Sequence, residues 1–249
     1  MVLQVTEVEL FGYRIVCSPS QVLNRVEEAI RFKRQLHLVT LNPEMVARQS
    51  WDQQFREVLQ GAELLVPDGV GVVWAARLLG KRIPARISGV DLAEALFSEG
   101  SRQGWRVFLL GGSELVVERA YQEIKKRFPL LSIVGFHHGY FSEEKTVVEV
   151  INSQKPDIVL VGMGCPRQEF WIARFREQFA ASVFVGVGGS FDVWSGLKPR
   201  APRLIQKMGL EWLYRVAREP SRLRRIIPSF GRFGWIVARE WWEEKFGKK

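Results

Sequence analysis

Asp68 is the side chain best placed to move a proton. It follows the apolar run Leu65-Val66-Pro67 and precedes Gly69 and a helical run from Val70. That order puts a carboxylate at the carboxyl end of a strand and at the start of a helix. Burial there raises a carboxyl pKa and the helix dipole lowers it, so either protonation state is open from sequence. As a carboxylate it can take a proton from a sugar hydroxyl; as a plain N-cap it would do no chemistry. Three further strands end in glycine turns, at Gly111-Gly112, Gly162-Met163-Gly164 and Gly186 to Gly189. Glycine lets a backbone approach a phosphate or a sugar closely, and three such turns on one sheet edge point to a nucleotide or sugar-phosphate site. None completes a GxGxxG fingerprint or a Walker A loop, which weakens dinucleotide and P-loop readings.

Other polar residues fall at the same kind of position. Thr40-Leu41-Asn42-Pro43 follows a strand and offers a hydroxyl and an amide. Arg86, Ser88, Gly89 and Asp91 form a polar loop before a helix. Gln168 and Glu169 lie in the first turn of a helix that starts at Pro166, and Asp192 follows the third glycine turn. Each also has an ordinary reading as a helix start. The five aspartates, 52, 68, 91, 157 and 192, form no Asp-x-Asp, and the three histidines lack ligand spacing. A metal-dependent sugar-nucleotide enzyme needs a carboxylate cluster, so no metal is expected. Arginines are then the cations available to a departing diphosphate. Arg215 and Arg218 are three apart, as are Arg222 and Arg225, so each pair shares a helix face, and Pro220 separates the pairs. Pairing of these arginines with Glu211 or Glu219 for solubility alone is the plainer alternative.

The elements that must position these groups are legible as short apolar runs alternating with helical patterns. Residues 36–41, 63–66, 105–110, 131–136, 158–161 and 182–187 read as strands; most are aliphatic or β-branched without strict alternation, as for parallel strands covered on both faces. Val117, Ala120, Tyr121, Ile124 and Phe128 repeat at helical spacing, with Ser113 placed to cap them, and a second helix runs from Pro166 to about Phe179. Strand–helix alternation predicts an α/β fold, a doubly wound, mostly parallel Rossmann-like sheet with helices on both faces. Near Gly196 the pattern changes to short helical pieces punctuated by Pro199, Pro202, Pro220 and Pro228. The expected organisation is a catalytic core over 1–195 and a basic helical appendage over 196–249.

Charge divides the chain at the same place. The 249 residues carry a net charge of +9. The last 54 hold 14 basic and five acidic residues, while the first 195 hold 22 of each. The basic segment also contains Trp212, Phe230, Phe233, Trp235, Trp241, Trp242 and Phe246, the composition of a helix lying in a membrane interface. No apolar run approaches the ~18 residues of a membrane span. The first residues show no basic segment ahead of an apolar stretch, so no secretory leader is expected. Cys17 and Cys165 make no disulfide framework.

The sequence resembles the WecG/TagA/CpsF glycosyltransferases, glycosyltransferase family 26, over nearly its whole length. The resemblance rests on Thr40-x-Asn42-Pro43, Pro67-Asp68-Gly69, Arg86 to Asp91, Leu110-Gly111-Gly112 and Gly162-x-Gly164-x-Pro166-x-Gln168-Glu169. It continues with Gly186 to Asp192, Arg200-Ala201-Pro202, Gly209 to Trp212, Arg215 and Glu219-Pro220-x-Arg222. It implies a metal-independent, inverting transferase without cofactor, cytoplasmic and peripherally bound to the inner face of the cell membrane. The implied reaction moves N-acetylmannosamine from UDP to the 4-hydroxyl of N-acetylglucosamine on undecaprenyl diphosphate, a step of wall teichoic acid or related polymer synthesis. Relatives using the uronic acid or UDP-glucose are the alternative.

Carried over by residue, the resemblance makes Asp68 the base and Thr40 and Gln168 contacts of donor sugar and diphosphate, with Asn42 and Arg86 lining the same pocket. Gly111, Gly112, Gly188, Gly189 and Asp192 would hold the nucleotide. Arg215, Arg222 and Arg225 would close over the site and stabilise the UDP leaving group. Self-association is open. A nucleic-acid-binding module is the rival of another class, but it leaves the neutral core with its polar strand ends without a purpose. An NAD(P)-dependent reductase is opposed by the incomplete glycine fingerprint.

Overall fold

A computed structural model describes residues 7–247, except for the side chain of Arg225. All six apolar runs become parallel strands. They are β3 Leu36–Leu41, β4 Leu64–Pro67, β5 Arg106–Gly111, β6 Ser132–His137, β7 Ile158–Gly162 and β8 Val183–Gly186. The sequence patterns had not revealed β1 Glu7–Leu10 and β2 Tyr13–Val16, an antiparallel hairpin on the β4 edge. At four residues each, these strands are too short for an alternation pattern to register. Their signal is the two-residue turn Phe11-Gly12, where both residues have positive φ, 57° and 79°, as a tight hairpin turn requires. Among the described residues the sheet order is β1-β2-β4-β3-β8-β7-β5-β6.

Helices cover both faces, as parallel strands demand. One face carries α1 Pro19–Arg31, α5 Gly89–Gln103, α6 Glu114–Arg127 and α9 Ser190–Trp194. Their Val22, Leu96, Val117 and Phe191 share a buried cluster with Leu38, Val66, Leu109 and Leu160 of the strands. The other face carries α2 Pro43–Arg48, α3 Gln53–Gln60 and α4 Val70–Leu78 over β3 and β4, and α7 Glu144–Ser153 and α8 Arg167–Phe175 over β5 and β7. The Pro166 helix thus ends earlier than expected, passing into a 3₁₀ turn over Arg176–Gln178. Ser113 occupies the N-cap position of α6, yet its side chain makes no capping bond.

After residue 195 come α10 Arg203–Lys207, α11 Glu211–Arg218, a 3₁₀ turn Pro220–Arg222 and the 24-residue α12 Leu223–Phe246, which contains Pro228. This segment is anchored on the sheet. Ile236 and Val237 of α12 are buried with Leu10, Phe11 and Tyr13 of the hairpin and Val72 of α4. Each such aliphatic side chain withdrawn from water contributes about 1.5–3 kcal/mol. Phe233 meets Phe11 edge-on at 5.6 Å. The aromatics of the segment divide accordingly. Phe233 and Trp241 pack on the core, while Trp235, Trp242 and Phe246 stay exposed. Leu204 and Leu213 of the same segment are also exposed. No described helix is long and apolar enough to cross a membrane.

Candidate active site

Neighbouring strands β3 and β8 send the chain to opposite faces of the sheet. After β3 it enters α2 on one side; after β8 it enters α9 on the other. Their carboxyl ends therefore splay into a crevice, the place where open α/β sheets bind ligands. Thr40, 6% exposed, lies in this opening, and its hydroxyl donates to the Gly186 carbonyl at 3.5 Å. Asn42 caps α2, its side-chain oxygen accepting from the Met45 N–H at 3.1 Å. The cap uses the amide oxygen of Asn42 and not its NH₂ group.

Asp68 stands one residue beyond β4. Its N–H donates to the Leu41 carbonyl at 2.8 Å, and Ile87 N–H donates to Pro67 O at 2.7 Å, so two loops are sewn to the strand ends around it. It does not cap α4. That position belongs to Gly69, whose φ of +83° is adopted at little cost only by glycine. The Asp68 carboxylate takes the Gly69 N–H instead, and Arg86 and Arg215 are the cations that act on it. Burial pushes the Asp68 carboxyl up to about 6, with Glu211 adding to the rise; Arg86, Arg215 and the Gly69 N–H pull the other way. The group is thus basic enough to hold a proton and ionised at neutral pH.

Glu211, at the first position of α11 and 5% exposed, organises the cations beside it. Arg86 reaches one of its oxygens at 2.8 Å and Arg215 the other at 2.8 Å, with Arg200 at 3.9 Å from that same oxygen. Burial alone would raise Glu211, but Arg86 and Arg215 outweigh it and hold the carboxyl below its ordinary range. Arg200 also binds Asp91 at 2.7 Å and the Ser88 hydroxyl at 3.3 Å. Burial opposes the Asp91 charge as well, and the bonds from Arg200 and Ser88 keep it lowered. A second bridge runs from Asp192 of α9 to Lys198 at 3.5 Å, on to Glu219 at 3.0 Å and then to Arg222 at 2.6 Å.

The glycine turns of β5, β7 and β8 lie side by side. Gly112 N–H donates to the Gly162 carbonyl at 3.1 Å. Gln168 is 2% exposed, its amide oxygen accepting from Gly164 and Gly188 at 3.1 and 2.9 Å. Glu169 beside it is 1% exposed.

The structure thus brings Thr40, Asn42, Asp68 and Arg86 to adjoining strand ends, sets Arg215 against Arg86 through Glu211, and ties Arg222 to Asp192 through Lys198 and Glu219. Gly111, Gly112, Gly188 and Gly189 border the same sheet edge. Arg225 lies in the first turn of α12, its side chain outside the described residues. Sequence reasoning gives no role to Arg200 or Lys198, and gives Glu211 and Glu219 only that of surface partners to the arginines. The i,i+4 spacing of Glu211 and Arg215 was the available signal, and it reads equally well as a surface pair. Two cavities of about 230 and 430 Å³, beside Tyr13 and Glu63 and beside His37 and Arg176, lie at the amino ends of the strands, away from all of these residues. Among the described residues, no three His, Cys, Asp or Glu side chains gather as a metal site.

Known proteins are similar along most of this chain. The family described as "Glycosyl transferase WecG/TagA/CpsF family" matches residues 8–247. A Bacillus spizizenii protein named N-acetylglucosaminyldiphosphoundecaprenol N-acetyl-beta-D-mannosaminyltransferase is 38% identical over 190 residues, 76% of this chain and 74% of that one. A Staphylococcus aureus protein of the same name is 40% identical over 198 residues, 78% of each.

Proposed function

The chain belongs to the WecG/TagA/CpsF family of glycosyl transferases, and we propose that it transfers N-acetylmannosamine from UDP to the 4-hydroxyl of N-acetylglucosamine carried on undecaprenyl diphosphate, inverting the anomeric centre without a metal. The acceptor and the transferred sugar follow the names of the relatives. The chemistry rests on one observation: Asp68 is fixed by backbone hydrogen bonds just beyond β4, at the crevice floor, within the influence of the Arg86 and Arg215 charges.

In this reading the acceptor hydroxyl attacks the anomeric carbon in line, opposite the diphosphate. Asp68 removes the hydroxyl proton as attack proceeds, which requires one base and no protein nucleophile. The C1–O bond to the diphosphate breaks, and UDP leaves with the electron pair. Arg215, Arg222 and Arg225 stabilise the negative charge that grows on the phosphates, so their contribution is larger in the transition state than in the bound donor. Thr40, Asn42 and Arg86 flank the donor sugar, and Asp192 and the glycine turns take the nucleotide. The exposed Leu204, Met208, Trp235 and Trp242 alternate with Arg203, Lys207 and Arg239, which supports contact of the 196–249 segment with an anionic membrane surface, where a polyprenyl acceptor resides.

A donor panel tests the reading. UDP-N-acetylmannosamine, its uronic acid, UDP-N-acetylglucosamine and UDP-glucose are each offered with a short-chain lipid-diphosphate N-acetylglucosamine acceptor and a chelator. The reading requires β-linked disaccharide from the first donor with undiminished turnover in the chelator. Product only from another donor, or a strict need for a divalent ion, overturns it.

A further inference from the structure

Gln168 is a polar residue of the crevice whose groups are largely committed inside the protein. Both lone pairs of its amide oxygen are engaged, by Gly164 N–H at 3.1 Å and Gly188 N–H at 2.9 Å. Its amide nitrogen donates to Glu169 Oε1 at 2.6 Å. Its own backbone N–H returns to the Gly164 carbonyl at 3.0 Å. The two glycines it joins lie in turns that leave paired strands, β7 and β8. Gly186 keeps the space clear, because a Cβ there would sit 2.5 Å from the Gln168 nitrogen.

The donor and acceptor pattern fixes which way the amide faces. Two N–H groups demand an oxygen on one side, and the Glu169 carboxyl accepts a hydrogen on the other. Burial pushes Glu169 up to about 7, and in either protonation state one of its oxygens still accepts from the amide. The nearby titratable and charged groups are Cys165, whose thiol burial holds in the neutral form, and Glu44 and Arg48 of α2.

We propose that Gln168 and Glu169 form an internal brace that sets the β7 and β8 turns in register for the diphosphate of a nucleoside-diphosphate donor, with Gln168 a positioning residue that acts through Gly164 and Gly188. This inference rests on the assignment of those turns to the nucleotide. It differs from a direct contact between the Gln168 amide and the donor, because a brace needs only one acceptor beside the glycines and one donor facing across.

Exchanging the two residues separates these roles. In Gln168→Glu two carboxyls face each other at hydrogen-bond distance, and a donor exists between them only when they share a proton. Burial and like charge both make that pair hold its shared proton tightly, so UDP binding to the full chain, measured by calorimetry relative to wild type at each pH, is expected to stay within about threefold near pH 5.5 and near pH 8. The double exchange Gln168→Glu/Glu169→Gln rebuilds acceptor and donor in place and is expected to bind within about threefold of wild type at both pH values. Gln168→Leu is expected to bind poorly throughout. Thermal melting accompanies each variant; if the double exchange does not fold, Glu169→Gln, which retains an acceptor for the Gln168 nitrogen, must bind UDP normally. A folded Gln168→Glu or double exchange as weak as Gln168→Leu overturns the brace in favour of direct contact, and so does normal binding by Gln168→Leu. Failure of wild-type protein to bind UDP overturns the nucleotide assignment itself, and the brace with it.

Discussion

Thr40, Asn42 and Asp68 project from strand ends or the residues just beyond them, while Arg215 and Arg222 hang from an eight-residue helix and a 3₁₀ turn. The floor is held by backbone: Asp68 N–H to Leu41 O, Ile87 N–H to Pro67 O, and the ladder pairing Thr40 with Val66 and Leu41 with Pro67. The rim is held by charge, through Glu211 and Glu219. Backbone ladders fix a group to one geometry, whereas ion pairs between side chains can be exchanged for others of similar energy. A base has to meet one hydroxyl at hydrogen-bond distance and suits the first kind of support. Cations that follow charge from a bound diphosphate to a departing one suit the second.

This contrast breaks most severely at Asp68. Asp68→Asn should lower turnover on the order of 10²–10⁴-fold, measured with saturating donor and lipid acceptor. The same substitution should stabilise the fold. A carboxyl raised to about 6 binds its proton more tightly in the folded chain than in the unfolded one. Its ionisation therefore opposes folding above that pH, and the penalty disappears below the ordinary carboxylate range. Calorimetric melting near pH 7.5 should give Asp68→Asn a gain of about 2–3 kcal/mol, absent near pH 3.5. Wild-type kcat/KM should rise with pH through about 6 and then level off, since only the ionised form is a base. Loss of activity without that gain would mean that Asp68 is structural.

Next in size are the rim arginines. Arg215→Ala and Arg222→Ala should each lower kcat on the order of 10²–10³-fold while donor KM moves only a few-fold, as steady-state kinetics would report. Equal losses in binding and turnover would erase the distinction between floor and rim. Glu211→Gln sharpens it, because the arginines remain and only their tether loses charge. A fall of about tenfold in kcat is expected. The acid limb of the pH profile should shift downward, since a negative neighbour that raises Asp68 is gone. An unmoved limb would show that Glu211 does not act on the base.

The smallest effect is expected furthest from the chemistry. Trp235→Ser with Trp242→Ser should weaken sedimentation with anionic vesicles about three- to tenfold and leave turnover on a water-soluble acceptor within about twofold. Unchanged vesicle binding would remove the membrane role from these side chains.

The same division governs what could be read from sequence. Runs such as Ile158 to Val161 are buried on both faces, so composition alone announces a parallel strand, and the turn glycines announce its carboxyl end. Asp68 was therefore placeable from its neighbours. The hairpin over residues 7–16 escaped because four-residue strands carry too few positions to establish a period. Glu211 escaped for another reason. Its partners Arg86 and Arg200 are 125 and 11 residues away, and no local spacing reports that a carboxylate four residues before an arginine will be buried rather than solvated. Helix spacing predicted the pair, and only the tertiary fold made it a hub.

Counted by sign, Arg86, Arg200 and Arg215 face Asp68, Asp91 and Glu211 as equals. The patch is electrically neutral at rest, three against three. A single hydrogen ion arriving on Asp68 upsets that parity and leaves one guanidinium without its counterpart. Under the proposed chemistry the ion arrives as the bond to the pyrophosphate gives way, so the patch turns cationic at the moment an anion is born above it and returns to balance once both have left.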